Sequence, residues 1–378
     1  MHKTKILYIL NVANRVNNFS YTSMIAAQNL NMDFHIAGNW GYESEEERLS
    51  DEEKYGIKIH QIDFIRTPYH PGNYKAYKQL CNIVETEKYD VIHCNTPIGG
   101  LLGRIVGKKY NIDKIIYQAH GFHFYDGAPC LNWLIYYPIE RLLARWTDKL
   151  ITINKEDYER AKKFKLRNNG QVYYVPGVGI DTDYRLIDEK AKENKRLELN
   201  VKLDDVVLIS MGDLIKRKNY AIAIKAIARL KDSRLQYFIC GTGPEENNLK
   251  ELVKQLGIES NVHFLGYRTD VVELLQVADV FLFSTKQEGL SRSLMEAMVF
   301  ELPCVASRIR GNVDLIEEGE GGFLFDPNDE KELGDKLSVL VDTKELKDEF
   351  GRVNKSKIKD FSVDMIRRKM IDIYGEDL

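Results

Sequence analysis

The feature that most constrains the fold is an alternation of short apolar runs with amphipathic segments along the whole chain. Runs such as Lys5–Leu10, Asp90–Cys94 and Lys114–Ala119 are short and apolar, as buried strands are. Longer segments lie between them, such as Tyr74–Glu87 and Leu131–Trp146, with apolar residues at helical spacing. Strands that alternate with helices form parallel sheets that are covered by helices. We therefore predict an α/β fold with doubly wound parallel sheets.

The alternation is interrupted once, at Pro176-Gly177-Val178-Gly179, and the charged stretch Asp188–Arg196 follows. Proline and glycine beside a charged stretch are typical of a connection between domains. The alternation restarts at Val206–Met211, and 378 residues are enough for two domains. We predict two Rossmann-like domains, residues 1–178 and 179–359, that face each other across a cleft. A last helix, at about residues 360–378, could return to the first domain.

Composition indicates a soluble globular protein, with 44% hydrophobic and 29% charged residues. No apolar run approaches the length that spans a bilayer. The N-terminal residues run directly into a predicted strand, so we expect no signal peptide. The five cysteines are scattered and form no C-x-x-C pair, which argues against a disulfide framework and a zinc site. We expect a cytoplasmic protein.

The net charge of −3 is unevenly distributed, because basic residues outnumber acidic ones between Leu101 and Lys165. Four aromatic residues are interleaved there: Trp133, Tyr136, Tyr137 and Trp146. Such a face could lie on an anionic membrane, at the inner side of the plasma membrane. The alternative is an ordinary solvated helix face with aromatic residues in the core. We expect no nucleic acid partner.

The stretch Val280–Gly311 carries the densest local pattern. The apolar run Val280–Ser284 predicts a buried strand, a polar turn with a glycine follows, and serines that can cap open a helix. Ligands of such units bind at the carboxyl end of the strand, where free N–H groups and the helix dipole favour an anion. Glu288 in the turn and Glu296 on the helix would flank that position. Alternatively, Ser293 and Glu296 form a capping box that only caps the start of the helix.

Two further loops follow predicted strands. The segment Met211–Asn219 places three consecutive basic residues near the start of a helix, where they could clamp a diphosphate. The alternative is a solvated basic loop. Glycines in Gly241-Thr242-Gly243-Pro244 could let a ligand approach the backbone. This segment is no dinucleotide fingerprint, because Glu246 stands where the third glycine would be, and a plain tight turn is the favoured local interpretation.

A histidine ends a strand in the first half of the chain. His120 follows the predicted strand Lys114–Ala119 and precedes a glycine, a position that would point its imidazole into the cleft. The alternative is a structural histidine that is bonded within its own loop. His123 is a weaker candidate, because its aromatic neighbours suggest packing.

Taken together, these stretches resemble glycosyltransferase family 4, whose members are retaining enzymes with the GT-B fold. The most specific part is Glu288-Gly289-Leu290-Ser291 with Glu296, which is similar to the family's E-x7-E signature. The segments Pro303–Ser307 and Gly321–Leu324 match the usual sequel. Ala119–Phe124 and Tyr89–Pro97 resemble the branch that builds bacterial capsule, exopolysaccharide and O-antigen units.

The resemblance implies a role for each matching residue of the signature. Glu296 would hold the ribose hydroxyls of the nucleotide, and Glu288 would contact the donor sugar. The backbone amides of Gly289, Leu290 and Ser291 would bind the sugar and the diphosphate. The resemblance also implies that the second domain binds the nucleotide sugar and that the first binds the acceptor.

Three more donor-binding positions follow from the resemblance. Lys218, in the loop that Gly212 opens, matches the lysine that neutralises the diphosphate. Gly243 and Tyr267 lie where the family places the base. The family usually has an arginine directly after the first loop glycine, where this chain has Asp213, and Arg217 is the candidate to replace it.

On the acceptor side, His120 matches the histidine beside the anomeric centre. The resemblance therefore names His120, Lys218 and Glu288 as catalytic. The first loop lacks the glycine pair that many members have, but asparagines there could contact acceptor hydroxyls. The acceptor-binding candidates are Asn11, Asn14 and Asn18.

The resulting hypothesis is hexosyl or N-acetylhexosaminyl transfer from a nucleotide sugar, a UDP-sugar, to a lipid-diphosphate-linked saccharide. We predict no cofactor and no metal, because Asp181-Thr182-Asp183 follows no apolar strand and is interpreted as a turn rather than a metal-binding D-x-D motif. The alternatives are a sugar-nucleotide epimerase, a transferase that acts on a small metabolite, and a non-catalytic polysaccharide-assembly protein.

Overall fold

A computed structural model describes residues 3–376, apart from the side chain of Asn18, and divides the chain into two compact units. The first unit contains the chain up to Gly179 and again from Val363. The second unit is Ile180–Ser362. Each unit has one parallel sheet with helices around it, so the predicted α/β class is confirmed. Within residues 3–376, no helix is long and apolar enough to cross a bilayer.

The first unit contains a seven-stranded sheet in the order β3-β2-β1-β4-β5-β6-β7. Its strands are β1 (Lys5–Val12), β2 (Asp33–Asn39), β3 (Lys58–Gln61), β4 (Val91–Asn95), β5 (Lys114–Ala119), β6 (Lys149–Thr152) and β7 (Gln171–Tyr174). Its first six helices are α1 (Asn18–Asn29), α2 (Glu45–Tyr55), α3 (Asn73–Glu87), α4 (Pro97–Lys109), α5 (Cys130–Ala144) and α6 (Lys155–Ala161), with a 3₁₀ turn at Arg167–Asn169. The order reverses between β1 and β4, which creates the crevice where sheets of this kind bind ligands.

Helix α4 lies unusually close to this sheet. A Cβ atom at Gly100 would come within 2.4 Å of the Tyr117 ring, and one at Gly103 within 2.6 Å of Cys94. The glycines of α4 therefore let the helix backbone approach the strands. This close packing fixes the N-terminus of α4 at the reversal point of the sheet.

The second unit has a six-stranded sheet in the order β10-β9-β8-β11-β12-β13. Its strands are β8 (Val206–Met211), β9 (Leu235–Cys240), β10 (Val262–Gly266), β11 (Val280–Phe283), β12 (Cys304–Ser307) and β13 (Gly322–Phe325). Its helices are α7 (Glu189–Glu198), α8 (Tyr220–Leu230), α9 (Glu246–Leu256), α10 (Val271–Val277), α11 (Arg292–Val299), α12 (Asn312–Leu315), α13 (Glu330–Asp342) and α14 (Lys344–Lys357), with 3₁₀ turns at Lys216–Lys218 and Ile358–Phe361. The reversal point is here between β8 and β11.

The charged stretch Asp188–Arg196 was predicted to belong to the connection between the domains. This prediction was wrong, because the stretch is the N-cap and most of helix α7. The Asp188 side chain caps the helix by accepting a hydrogen bond from the Ala191 amide at 2.8 Å. Lys195 then pairs with Asp270 and Glu273, each at 2.8 Å, and holds α7 on α10. The helix was missed because ion pairs, rather than an apolar stripe, contribute much of its attachment.

The last helix, α15 (Val363–Gly375), is part of the first unit and packs against α1. Its buried apolar face includes Ile366, Met370 and Ile373. The hydroxyl of Tyr374 lies 2.6 Å from Nδ1 of His93 on β4, and both residues are buried. The first unit is therefore built from two separate parts of the sequence.

Candidate functional site

Two loops meet at the reversal point of the second sheet. One follows β8 and contains Arg217 and Lys218, and the other follows β11 and leads to α11. The Lys286 amide donates to the Arg217 carbonyl at 2.8 Å, and the Ser284 hydroxyl donates to the Lys218 carbonyl at 3.0 Å. These bonds hold the basic loop against the loop that carries Glu288.

The Glu288 carboxylate is the centre of a cluster that we define as Arg217, Lys218, Thr285 and Glu288. A single oxygen, Oε1, accepts hydrogen bonds from Arg217 at 2.7 Å, Lys218 at 2.8 Å and the Thr285 hydroxyl at 3.2 Å. In the part of the chain that the structure describes, the other oxygen accepts none. Two cations share one carboxylate, so the Glu288 cluster carries a net positive charge that suits an anionic ligand.

Helix α11 starts directly after this cluster. The Ser291 side chain accepts a hydrogen bond from the Leu294 amide at 3.4 Å and caps the helix. Among the described residues, no acceptor lies on the backbone amides of Gly289, Leu290 and Ser291. These three N–H groups and the positive end of the helix dipole can therefore bind oxygen atoms of a ligand.

The capping-box interpretation of Glu296 is wrong. Ser291 is the cap, so Ser293 lies inside the helix and Glu296 on its second turn. The carboxylate of Glu296 accepts a hydrogen bond from Arg292 at 2.9 Å and keeps 22% of its surface exposed. Burial, followed by the charge of Glu296, raises the pKa of the nearby Tyr184. A ligand contact for Glu296 stays a prediction.

The predicted donor-site residues of β8, β9 and β10 follow the carboxyl ends of these neighbouring strands. Gly212 has a φ of +143°, and a Cβ atom at Gly243 would lie 2.5 Å from the Leu214 carbonyl oxygen. Close packing of the two loops thus explains the glycine at 243 without a ligand. Tyr267 follows β10 and is 81% exposed, so it is accessible to a ligand.

Where the family usually has an arginine, this chain has Asp213, whose acidic side chain is exposed beside Gly212. Arg217 instead turns toward the Glu288 cluster, where its guanidinium also donates to the Gln287 carbonyl at 2.5 Å. That Arg217 replaces the family's arginine stays a prediction. In Asp181-Thr182-Asp183, the Asp183 amide donates to the Asp181 carboxylate at 2.9 Å, which forms a turn.

His120 lies at the end of β5 in the first unit. Its Nε2 is 3.1 Å from Oδ1 of Asn95, whose Nδ2 donates to the Ile9 carbonyl. Since Asn95 presents its oxygen, Nε2 of His120 carries the proton and Nδ1 can accept one. Burial lowers the pKa of His120 to about 4, so the ring is neutral at pH 7. The Phe19 ring covers it at 4.5 Å.

Two adjoining cavities lie at the same edge of the first unit. The polar cavity, of about 550 Å³, is lined by residues that include Asn11, Asn14, Asn17, Arg66 and Thr96. The apolar cavity, of about 360 Å³, is lined by residues that include Ile98, Leu101, Phe122, Ile139 and Leu143, with His120 in its wall. The two cavities share Pro68, Thr96, Pro97, His123 and Tyr136. The unit can therefore hold a ligand that is polar at one end and apolar at the other.

The predicted acceptor asparagines differ in their surroundings. Asn11 is nearly buried, and its Oδ1 accepts a hydrogen bond from the Gly99 amide at 2.6 Å, which ties the first loop to α4. Asn14 is exposed in the wall of the polar cavity. Asn18 starts α1, but its side chain lies outside the described residues. Asn17, which was not predicted, caps α1 and also lines the cavity.

The aromatic residues of the predicted membrane face mostly pack inward. Trp133, Tyr136 and Tyr137 contact the core of the first unit, and Lys108 covers the Trp146 ring at 4.1 Å. Apolar residues of α5 are exposed instead. They are Leu131, Leu134, Ile139 and Leu142, between 41% and 74% exposed. Their spacing along one face of a helix could have revealed them from the sequence.

Three site residues were missed in addition to Asn17. Thr285 joins the Glu288 cluster, and its position directly after a buried strand was the available signal. Asn95 orients His120 and likewise ends a strand, β4. Arg310 is only 6% exposed and donates to the Glu288 carbonyl at 3.1 Å. No local pattern identifies Arg310, because it comes from a later loop.

Comparisons with known proteins identify the family of the chain. Residues 191–357 match the family described as Glycosyl transferases group 1, and residues 5–154 match Glycosyl transferase 4-like. A Bacillus subtilis (strain 168) protein named "Putative glycosyltransferase EpsD" is 36% identical over 329 residues, which cover 86% of this chain and 85% of the relative. The UDP-Gal:alpha-D-GlcNAc-diphosphoundecaprenol alpha-1,3-galactosyltransferase of Escherichia coli is 27% identical over 312 residues, 78% of this chain and 80% of the relative.

Solved structures show the same fold. The crystal structure of Anabaena Alr3699/HepE in complex with UDP matches with a TM-score of 0.79 and 18% identity, and covers 99% of this chain and 100% of that chain. The same protein in complex with UDP-glucose gives a TM-score of 0.78 over 98% of this chain and 99% of that chain, again at 18% identity. At this identity, the likeness establishes the architecture.

Proposed function

The chain belongs to the Glycosyl transferases group 1 family and is a glycosyltransferase, and we propose on this premise that its donor is a UDP-sugar and its acceptor a lipid-diphosphate-linked saccharide. The donor is supported by HepE, which was crystallised with UDP and with UDP-glucose. The acceptor is supported by the Escherichia coli relative, whose name includes a diphosphoundecaprenol-linked sugar. Transfer of a hexosyl or N-acetylhexosaminyl group would extend a bacterial surface polysaccharide.

The observation that carries this proposal is the Glu288 cluster beside the unpaired amides of the α11 N-terminus. Lys218 and Arg217 would bind the donor diphosphate together with the amides of Gly289 and Leu290. Glu288 holds both cations in place and would contact the sugar. The diphosphate gains charge as it leaves, so cations that are already oriented toward it would stabilise the transition state.

The retaining outcome needs no carboxylate base in this proposal. An oxygen of the departing diphosphate would take the proton of the acceptor hydroxyl on the same face of the sugar. His120 stays neutral and would offer Nδ1 to a sugar hydroxyl, since Nε2 is bonded to Asn95. Glu296 would bind the ribose. We propose that these groups act without a metal or a cofactor.

The acceptor saccharide would occupy the polar cavity, where Asn14 is exposed and Asn11 forms part of the wall. Helix α5 supports attachment to a membrane surface. Exposed leucines such as Leu134 lie on the same helix as Arg141, and Arg145 follows its end. Apolar side chains that enter the interface, with cations beside anionic headgroups, would hold the enzyme at the inner face of the plasma membrane.

Two measurements on the purified protein test the proposed function. Calorimetry with UDP, GDP and ADP should give binding for UDP that the other two nucleotides do not match. Incubation of UDP-sugars with a lipid-diphosphate-linked saccharide should then lengthen the acceptor by one sugar. Absence of nucleotide binding would contradict the proposed transfer from a UDP-sugar. An isomerised sugar in the absence of acceptor would indicate an epimerase.

A further inference from the structure

Helix α5 separates the apolar cavity from solvent. Four of its residues, Tyr136, Ile139, Glu140 and Leu143, line the cavity at helical spacing. The exposed residues Leu131, Leu134 and Leu142 of the same helix do not line the cavity. Ile139 belongs to both groups, because it lines the cavity and is 41% exposed. Helix α5 therefore presents apolar side chains both to the cavity and to solvent, and Ile139 is common to the two sets.

The charge of Glu140, which lines the apolar cavity, is neutralised by Arg104, a buried residue of α4. Arg104 is 1% exposed and donates to both carboxylate oxygens of Glu140, at 2.8 and 3.2 Å. Its Nε donates to the Gly100 carbonyl at 2.8 Å, and its guanidinium lies 3.8 Å from the Tyr117 ring centroid. Since both charges are paired, the wall has no unpaired ion here to attract a polar ligand. A cavity of this size and lining suits an apolar group.

The adjoining polar cavity supplies a cation. Arg66 lines it, is exposed, and has no hydrogen-bond or ion-pair partner among residues 3–376. Pro68, two residues later, is shared by the two cavities. An anionic group beside Arg66 would thus sit next to the mouth of the apolar cavity. The arrangement matches an amphiphile whose diphosphate joins a sugar to a hydrocarbon chain.

We propose that the apolar cavity binds the isoprenyl chain of the acceptor next to its diphosphate, with the diphosphate at Arg66 and the saccharide in the polar cavity. His120 stays available to a sugar, because it lies where the two cavities meet, with its ring against Phe19 of the polar cavity. This inference rests on the proposed function. It makes the lipid a recognised part of the substrate rather than a passive anchor. The chain would pass Ile139 on its way from the membrane surface into the protein.

Calorimetry with farnesyl diphosphate and with inorganic diphosphate, each in saturating UDP so that the donor site is occupied, tests this site in the absence of a membrane. The wild-type protein should bind farnesyl diphosphate about tenfold or more tightly than inorganic diphosphate, because apolar contacts are added. Ile139→Asp should remove most of this difference. Leu134→Asp is the matched control on the outer face and should retain it. Leu101→Trp, which fills the cavity without a charge, should also weaken farnesyl diphosphate binding.

Equal affinities for the two diphosphates would overturn the inference, as would an equal loss in Leu134→Asp and Ile139→Asp. Thermal melts and near-UV circular dichroism establish that each variant is folded, and UDP affinity should be unchanged in all of them. Transfer assays separate the two proposals. Equal transfer to saccharides linked to farnesyl diphosphate and to methyl diphosphate would refute the isoprenyl site and leave the proposed transfer reaction standing. Transfer to neither acceptor would refute the proposed transfer reaction.

Discussion

The two units have the same topology but different chemistry at the same point. In each, the strand order reverses beside the first strand, and the end of that strand or the loop after it is bonded to the segment across the reversal. In the first unit the Gly99 amide donates to Asn11, and in the second the Lys286 amide donates to Arg217. The fold thus determines where a ligand is bound, and the loop side chains determine which ligand.

The side chains at the two reversal points differ in charge. The second unit places Arg217 and Lys218 each within hydrogen-bond distance of Glu288. The first places His120 and Asn95 there, and both are neutral at pH 7. A charged site suits a departing diphosphate, whereas a neutral, hydrogen-bonding site suits the hydroxyl groups of sugars. The comparison explains how one architecture could serve both substrates of a transfer reaction.

The largest effect is expected at the charged reversal point. Lys218→Ala should lower kcat by on the order of 10²–10³, because one preorganised charge contact to the leaving group is lost. Lys216→Ala is the matched control, since Lys216 is exposed in the same turn and should leave kcat near the wild-type value. Steady-state kinetics with a UDP-sugar measure both. A Lys218→Ala enzyme with near-normal turnover would remove this residue from the mechanism.

The neutral site can be converted toward a charged one. Asn95→Asp would place a carboxylate beside His120, so the pKa of His120 should rise from about 4. We expect kcat at pH 7 to fall about tenfold, with recovery at higher pH as the imidazole loses its proton. NMR titration of His120 and a pH–kcat profile check this. Asn111→Asp adds the same charge at an exposed position, and an identical profile in the two variants would contradict a positioning role for Asn95.

Nucleotide affinity tests whether the charged site extends along α11. Glu296→Ala should weaken UDP binding about tenfold, the effect of losing a hydrogen bond to a charged group. Glu251→Ala, on the exposed side of α9, should leave it unchanged. Calorimetry distinguishes the outcomes. Equal affinity in both variants would mean that Glu296 only pairs with Arg292.

The smallest effect concerns stability and separates the two units. Burial lowers the pKa of His60 and His120 to about 4 and that of His93 to about 3, and all three lie in the first unit. The unfolded chain binds these protons near pH 6.5, whereas the folded unit does not. The stabilising contribution is therefore complete above pH 6.5 and decreases as the pH falls toward 4.

Urea unfolding at pH 7 and pH 5 measures this difference. The three tryptophans all belong to the first unit, so their fluorescence reports on it alone. The unfolding midpoint should be lower at pH 5, and His60→Gln should reduce the change. The second unit contains a single histidine and should respond less. If the unfolding midpoint followed by tryptophan fluorescence does not change with pH, the lowered histidine pKa values do not contribute to the stability of the first unit.

Much of the fold could be predicted because its signals are local. Apolar runs identified β8 and β11, and the polar segments after them contain Lys218 and Glu288. Parallel strands place their carboxyl ends at one edge, so the approach of these residues follows from the strand order. The same reasoning found His120 at the end of β5. The resemblance to family 4 is confirmed by the family matches.

The remainder depends on contacts between distant segments. Arg310 reaches Glu288 from the loop after β12, and Tyr374 reaches His93 from the far end of the chain. Helix α7 is held partly by Lys195 and its acidic partners rather than by an apolar stripe, so periodicity did not reveal it. The aromatic residues interleaved with basic ones in residues 101–165 suggested a membrane-facing surface, although Tyr137 packs against the core. Residue type alone could not decide which side of α5 is exposed.

The split in the first unit has a consequence for biosynthesis. A ribosome makes Val363–Gly375 after the whole of Ile180–Ser362, so the first unit cannot complete its core until the inserted unit has been synthesised. The earlier segment must wait for its final helix while the surface that receives Ile366 and Met370 is uncovered. A nascent chain that stalls before Val363 would therefore be a substrate for chaperones, although most of its sequence has been translated.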